Sequence, residues 1–234
     1  MIFEKILDFL FPESCGICGK LGNTICRECI EKLEKYRNCN TKNNQTKVLE
    51  STINMYFLYK YEGLVRKILL KYKFDDQSYL FFMLIFLVLN SPETCIFIRH
   101  YDIMMPVPLH KKRHLERGYN QTELVAKNLG EKLKISVNGK VLIKNKNIKP
   151  QSQKSGEDRF KDVIGIYDLN PKYAQEIVGK KVLIIDDIYT TGSTCKECAK
   201  MLLEGGAKEV GIFCLARDYL RLKTIDKRRK DAKG

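Results

Sequence analysis

The sequence predicts an α/β fold, a mostly parallel sheet with helices packed on it, preceded by a small four-cysteine metal module. Three observations predict this. From Met55 onward, strand-like and helical apolar periods alternate. The strongly apolar run 182–185 ends in two acids, then a loop of small residues, then a helical period. Near the start, Cys15-x2-Cys18 and Cys26-x2-Cys29 form two tight pairs in a segment otherwise dominated by charge.

The elements follow in order. YFLYKY reads as a strand, LVRKILLKYKF as a helix with apolar Leu64, Val65, Ile68 and Leu69, and 78–89 as a second, buried helix. Segment 101–107 reads as a strand, 121–133 as a helix and 141–143 as a short strand. Segments 164–167 and 181–185 read as strands, 194–204 as a helix and 210–215 as a closing strand. Ligands of such sheets gather at the carboxyl ends of the strands. Segment 40–52, polar and without apolar period, reads as a linker. The expected division is therefore a metal module with linker over 1–52, an α/β domain over 53–217 and a basic tail over 218–234.

The chain has 234 residues, 44% of them hydrophobic, which suffices for a packed core. Nine cysteines, an odd number and mostly scattered, suit metal ligation in a reducing compartment better than a disulfide framework. The start of the chain intersperses Glu4 and Asp8 among Ile2, Phe3, Ile6, Leu7 and Leu10, which suits a short amphipathic helix better than a signal peptide. The apolar run 80–89 is too short for a membrane helix, which needs about 20 residues. The expectation is a cytoplasmic protein without membrane insertion. A net charge of +14 would attract polyanions such as nucleic acid, although abundant Lys, Asn and Ile also follow from genome composition.

The segment KKVLIIDDIYTTGSTCKECAKML carries the most chemistry. A buried strand would deliver Asp186 and Asp187 to its carboxyl end. Thr190, Thr191, Gly192, Ser193 and Thr194 would then expose backbone N–H groups and hydroxyls at a helix N-terminus, where a phosphate is held well. Carboxylates beside a phosphate cradle are unfavourable unless something lies between them, and sugar hydroxyls or a divalent cation would serve. Neither the Walker string nor a G-x-G-x-x-G follows a strand here. The bland alternative is an ordinary strand-to-helix turn with Ser193 or Thr194 as its cap.

Upstream, MMPVPLHKKRHLERGYNQTELVAKNL places Lys111, Lys112, Arg113 and Arg117 on a loop at the same sheet edge, fit to neutralise a pyrophosphate. In isolation such a run would be a solvated basic loop. His110 and His114 are expected there as exposed residues. The polar stretch 145–162, with Lys149, Gln151, Lys154 and Arg159, is long enough for a lid over a water-sensitive site.

Two thiolates from each tight pair complete a tetrahedral zinc site from Cys15, Cys18, Cys26 and Cys29, with Gly16 and Gly19 easing the turns. An iron–sulfur cluster would use the same thiolates, but the spacing suits zinc better. Cys195 and Cys198 repeat the spacing on a helix, where they are expected to pack as small apolar groups, with the helix N-terminus lowering the Cys195 thiol pKa.

The string VLIIDDIYTTGST resembles the phosphoribosyl-pyrophosphate (PRPP) signature of type I phosphoribosyltransferases. That resemblance implies their fold, with Asp186 and Asp187 facing the ribose hydroxyls and 190–194 enclosing the 5-phosphate. Together PVPL, RGYNQTELVA, the PQSQ segment and IIDDIYTTGST resemble the ComF-type competence proteins, a zinc-finger branch of that superfamily, over about residues 15–217. The resemblance implies a role in natural competence and DNA uptake and a pentosyl transfer in which Mg2+ accompanies PRPP and an unknown acceptor displaces pyrophosphate. It also implies possible partners in single-stranded DNA and in competence-machinery proteins such as a ComF-operon helicase. The alternative is a non-catalytic module that binds single-stranded DNA or a partner and keeps a regulatory or vestigial PRPP site.

Overall fold

The computed structural model describes residues 14–38, 44–74, 80–109, 120–144 and 165–220. Its elements are α1 (Arg27–Glu34), β1 (Gln45–Val48), β2 (Ser51–Lys60), α2 (Gly63–Phe74), α3 (Leu80–Leu89), α4 (Pro92–Arg99), β3 (Ile103–Pro106), α5 (Gln121–Leu133) and β4 (Ser136–Val137). Then follow β5 (Leu142–Lys144), β6 (Tyr167–Leu169), a 3-10 turn (Ala174–Ile177), β7 (Lys181–Tyr189), α6 (Ser193–Glu204) and β8 (Glu209–Arg217).

Six strands form one sheet in the order β1-β2-β8-β7-β3-β4, and every neighbouring pair except β1–β2 is parallel. The α/β expectation therefore holds. Central β7 reads as a continuous apolar run because both of its faces are covered. On one face Leu183, Ile185, Phe213 and Leu215 pack with residues of α2, α3, α4 and α5 and with the cysteine module. On the other, Val182, Ile184, Ile212 and Cys214 pack with Cys195, Cys198, Ala199 and Leu202 of α6 and with the β5–β6 hairpin.

Segment 40–52 is not uniformly a linker, since it holds β1 and the start of β2. β1 is an edge strand with Gln45 and Lys47 exposed and Val48 buried, so three of its four residues can be polar, and Leu49 turns the hairpin at φ 53°. The sequence periods also overlook α4, whose start is set by Pro92 in its first turn and whose core contacts are Thr94, Cys95 and Ile98. No single helix among the described residues is long and apolar enough to cross a membrane. α3 and α4 together have the composition of a broken span, meeting at 87°, but Leu80, Met83, Leu84, Leu87 and Val88 of α3 are buried in the core.

The cysteine module is sewn to the sheet. Arg37 bridges Tyr59 of β2, the Lys60 amide donates to the Tyr36 carbonyl, and the Asn38 amide donates to the Leu58 carbonyl. The Tyr36 ring lies against Gly63, which opens α2 at φ +51°, and leaves no room there for a Cβ. Helix α1 packs on α2, so the module and the first helix of the domain share one core.

Candidate phosphoribosyl site and metal centre

β7 carries the two acids out of the core and, because neighbouring residues of a strand face opposite ways, sends them to opposite layers. Asp186 lies on the α6 side, its Oδ2 3.7 Å from the Cys195 thiol. Asp187 lies on the α2 side, its Oδ2 2.7 Å from the Lys73 ammonium. The bend at the strand end is held locally: Asp186 Oδ1 accepts from the Asp187 amide at 2.9 Å and Asp187 Oδ1 from the Ile188 amide at 2.7 Å.

The two carboxyls differ electrically. Burial, and then the neighbouring Asp187 carboxylate, push Asp186 up to about 7, against the pull of Lys73 and the Asp187 amide. Nearby Tyr61, between β2 and α2, is raised by burial, with Lys73 and Asp187 both within its field.

The loop after β7 turns through Gly192 at φ 76°, and α6 starts at Ser193. A Cβ at Gly192 would run into the Tyr189 ring, and Tyr189 itself stacks on Phe57 at 5.0 Å, so the turn rests on core that cannot give way. Thr191 and Ser193 hydroxyls lie 2.7 Å apart, and Thr191 Oγ1 accepts from the Ser193 amide at 3.3 Å. Glycine at the cap position brings no side-chain acceptor of its own to the first turn of α6. The acids and the hydroxyl loop thus flank one strand end, with Asp186 beneath the first turn of the same helix that the loop opens.

Lys111, Lys112, Arg113 and Arg117, together with His110 and His114, lie outside the described residues, as do the lid stretch 145–162 and the N-terminal segment 1–13. What borders them is clear. Asn120 caps α5, its side chain accepting from the Thr122 amide at 3.1 Å and donating to the Val107 carbonyl at 3.2 Å. On either side of 145–162 in the chain, β5 and β6 pair antiparallel with Lys144 opposite Tyr167, and buried Glu197 of α6 accepts from the Gly165 amide at 2.8 Å.

Sequence reasoning missed Lys73, which reads there only as one more cation on an amphipathic helix. It also missed Glu197. Neither carries a local signal, since their partners lie 114 and 32 residues away.

Cys195 is a correction. Its hydrogen bond to Cys214 favours the thiolate, but burial and the nearby acids outweigh it and raise the thiol. Burial likewise raises Cys198 and Cys214. A helix N-terminus lowers a thiol pKa only where the thiolate is not also desolvated beside a carboxyl. The three pack the α6–sheet interface, as expected of small apolar groups.

Cys15, Cys18, Cys26 and Cys29 lie with all four sulfurs within 4.8 Å of one another, and the Cys18 and Cys26 sulfurs are 3.7 Å apart. A Zn–S bond of about 2.3 Å implies a tetrahedral edge of about 3.8 Å, so the donors fit zinc. At Cys15 burial opposes the thiolate, but hydrogen bonds from the backbone of Cys26, Cys18 and Ile17 prevail and lower it to about 6. Cys29 is raised, by burial and then by its three neighbours. Four thiolates leave no open position, which suits a structural metal centre.

Residues 122–233 match the family model for the phosphoribosyl transferase domain. The chain is 29% identical over 210 residues to competence protein ComFC of Bacillus subtilis, covering 87% of this chain and 77% of that one. It is 31% identical over 116 residues to the DNA utilization protein YhgH of Escherichia coli, covering 50% of this chain and 49% of that one, so it spans about half the length of YhgH. Among solved structures, purine phosphoribosyltransferase from Pyrococcus horikoshii is similar with a TM-score of 0.36 at 17% identity, over 70% of this chain and 78% of that one. The parallel sheet suits the phosphoribosyl transferase domain that residues 122–233 match, and the sequence matches together with the four-cysteine cluster make the chain similar to the ComF-type competence proteins.

Proposed function

We propose that the chain binds PRPP with Mg2+ and transfers its ribosyl group to an acceptor, releasing pyrophosphate, as part of DNA uptake or use in competence. The observation that carries this reading is the end of β7, where Asp186, Asp187 and the hydroxyl loop 190–194 converge from nine consecutive residues. The 5-phosphate would accept hydrogen bonds from the loop amides and from the Thr190, Thr191, Ser193 and Thr194 hydroxyls at the positive end of α6. The ribose hydroxyls would donate to the two carboxylates. Lys111, Lys112, Arg113 and Arg117 would stabilise the departing pyrophosphate as its bond to C1 breaks and an acceptor lone pair forms the new one. Mg2+, held with PRPP beside Asp186 and Asp187, would offset the negative charge of the bound ester. Catalysis in such a site is positioning and electrostatics, without a dedicated general base.

The module over 1–52 would hold zinc structurally, the domain over 53–217 would do the chemistry, and 218–234 would be a basic tail. Free thiols in the core suit work in a reducing, cytoplasmic compartment. A second reading, a module for single-stranded DNA or a protein partner, is favoured by the +14 charge and by exposed Arg66, Lys67 and Lys71 on α2, a helix with no acid in its first turn.

Calorimetry with PRPP and Mg2+, followed by pyrophosphate release with nucleobases and amines as acceptors, tests the first reading. Binding and release that vanish in Asp186→Asn/Asp187→Asn support it. Single-stranded DNA affinity with a steep salt dependence, unchanged in that variant and without PRPP binding, supports the second.

A further inference from the structure

The last turn of α2 is tied to the site at two points, by Tyr72 and by Lys73. The Tyr72 hydroxyl donates to the Gln121 carbonyl, at the first residue of α5, at 3.0 Å. Lys73 meets Asp187 at 2.7 Å, with the two side chains keeping 26% and 15% of their exposure, so the pair is sheltered yet reachable. A lysine serving only as a surface counter-ion would have no need of such placement. The tyrosine before it is among the largest fully buried side chains of the described residues, which anchors the backbone of this turn.

The local hydrogen-bond count is informative. Among the described residues, Asp187 accepts from the Ile188 amide on one oxygen and from Lys73 on the other, and a carboxylate oxygen has a second lone pair beyond each such bond. An ammonium has three donors, and among the described residues one of those of Lys73 is taken up by Asp187. A carboxylate with spare lone pairs beside an ammonium with spare protons matches a hydroxyl, which donates to the first and accepts from the second. It does not match a C–H at the same place.

We propose that Lys73 is a binding residue of the ribose site, ion-paired to Asp187 so that the two together recognise one ribose hydroxyl. This rests on the reading that the acids receive a phosphorylated ribose. Asp187 is faced by Asp186 on its own strand, by Lys73 from α2 and by Tyr61 from the β2–α2 connection, with Asp218 beyond Tyr61. Among the described residues, Lys73 is the cation in contact with this acidic group. Without it Asp186 holds its proton more readily, and the hydroxyl loses a donor.

The test is calorimetry of the full chain with ribose 5-phosphate and its 2-deoxy and 3-deoxy analogues, at pH 7 and pH 9. Lys73→Met is expected to weaken ribose 5-phosphate about tenfold at pH 7, the size of a hydrogen bond to a charged group, and to abolish the preference over one deoxy ester. Part of that loss returns at pH 9, where Asp186 ionises without the help of Lys73. Lys73→Arg restores preference in part. Lys67→Met, an equal charge change on the exposed side of the same helix, stays within about twofold. Lys73→Met/Asp187→Asn loses less than the two single losses together, because both groups hold the same hydroxyl. If Lys73→Met does not fold, Lys73→Gln, which keeps a donor and drops the charge, carries the same comparison.

Retained preference in a folded Lys73 variant, or an equal loss in Lys67→Met, overturns the proposal and leaves the ribose-site reading standing. A wild-type chain that binds none of the three esters overturns both. One that binds all three equally overturns hydroxyl recognition by Lys73 and Asp187 while keeping the phosphate loop.

Discussion

The two ends of the candidate site are built in opposite ways. The phosphate end is local: loop 190–194 closes on itself through Thr191 and Ser193, and Gly192 turns against Tyr189 three residues earlier. The acid end is assembled from distant chain, since Asp187 takes its cation from a helix 114 residues away and that helix leans on the cysteine module. A neutral hydroxyl loop can satisfy itself from its neighbours in sequence. Two adjacent carboxylates cannot, and the fold must bring them an opposite charge or let one hold its proton.

The difference can be broken from the phosphate end first, where the largest effect is expected. Gly192→Ala places a Cβ at positive φ and into the Tyr189 ring. It is expected to cost about 2 kcal/mol or more of stability and to abolish binding of both inorganic phosphate and ribose 5-phosphate, read by denaturant melts and calorimetry. Asp187→Asn comes next. It leaves inorganic phosphate binding unchanged but weakens ribose 5-phosphate about tenfold, so the two probes separate the two ends.

Removing the metal sharpens the contrast. Chelation is expected to unfold residues 14–38, whose folding energy is largely metal binding, and to loosen α2. Ribose 5-phosphate binding then falls several-fold while inorganic phosphate binding holds, followed alongside the release of zinc. An equal loss of both would mean that the module supports the whole domain and not the acid end.

The smallest effect is in pH dependence. The Asp186 pKa is raised to about 7 in the folded chain, from an ordinary 3.8. Between these values the folded state binds the proton more than the unfolded state does, so stability falls as pH rises from about 4 to about 7, read as a falling Tm. Asp186→Asn removes that slope. Ligand binding runs the other way, improving from pH 6 to 8 as Asp186 ionises.

This contrast also explains what could be read from the sequence. Strand 181–189, the loop and α6 were legible because an apolar run, two acids and TTGST sit in one register. The zinc module was legible because its two pairs are closed by tight turns, and its four sulfurs do gather. The same C-x2-C spacing at Cys195 and Cys198 falls on a helix, where burial beside Asp186 raises the thiols and defeats the inference of an activated cysteine. Hairpin β1–β2 was hidden because an edge strand need not be apolar. Lys73 was hidden because its meaning lies in tertiary distance. The opposite facing of Asp186 and Asp187 follows from strand geometry, and the adjacency of the letters obscures it.

The central claim is that both ends hold one sugar ester, and backbone amide NMR with ribose 5-phosphate tests it most directly. Saturable shifts at one affinity for the amides of Thr191 to Cys195 together with those of Asp187 and Ile188 are what this account predicts, with the second group silent when inorganic phosphate is added instead. Shifts confined to one group with ribose 5-phosphate, or two groups titrating with different affinities, would contradict it.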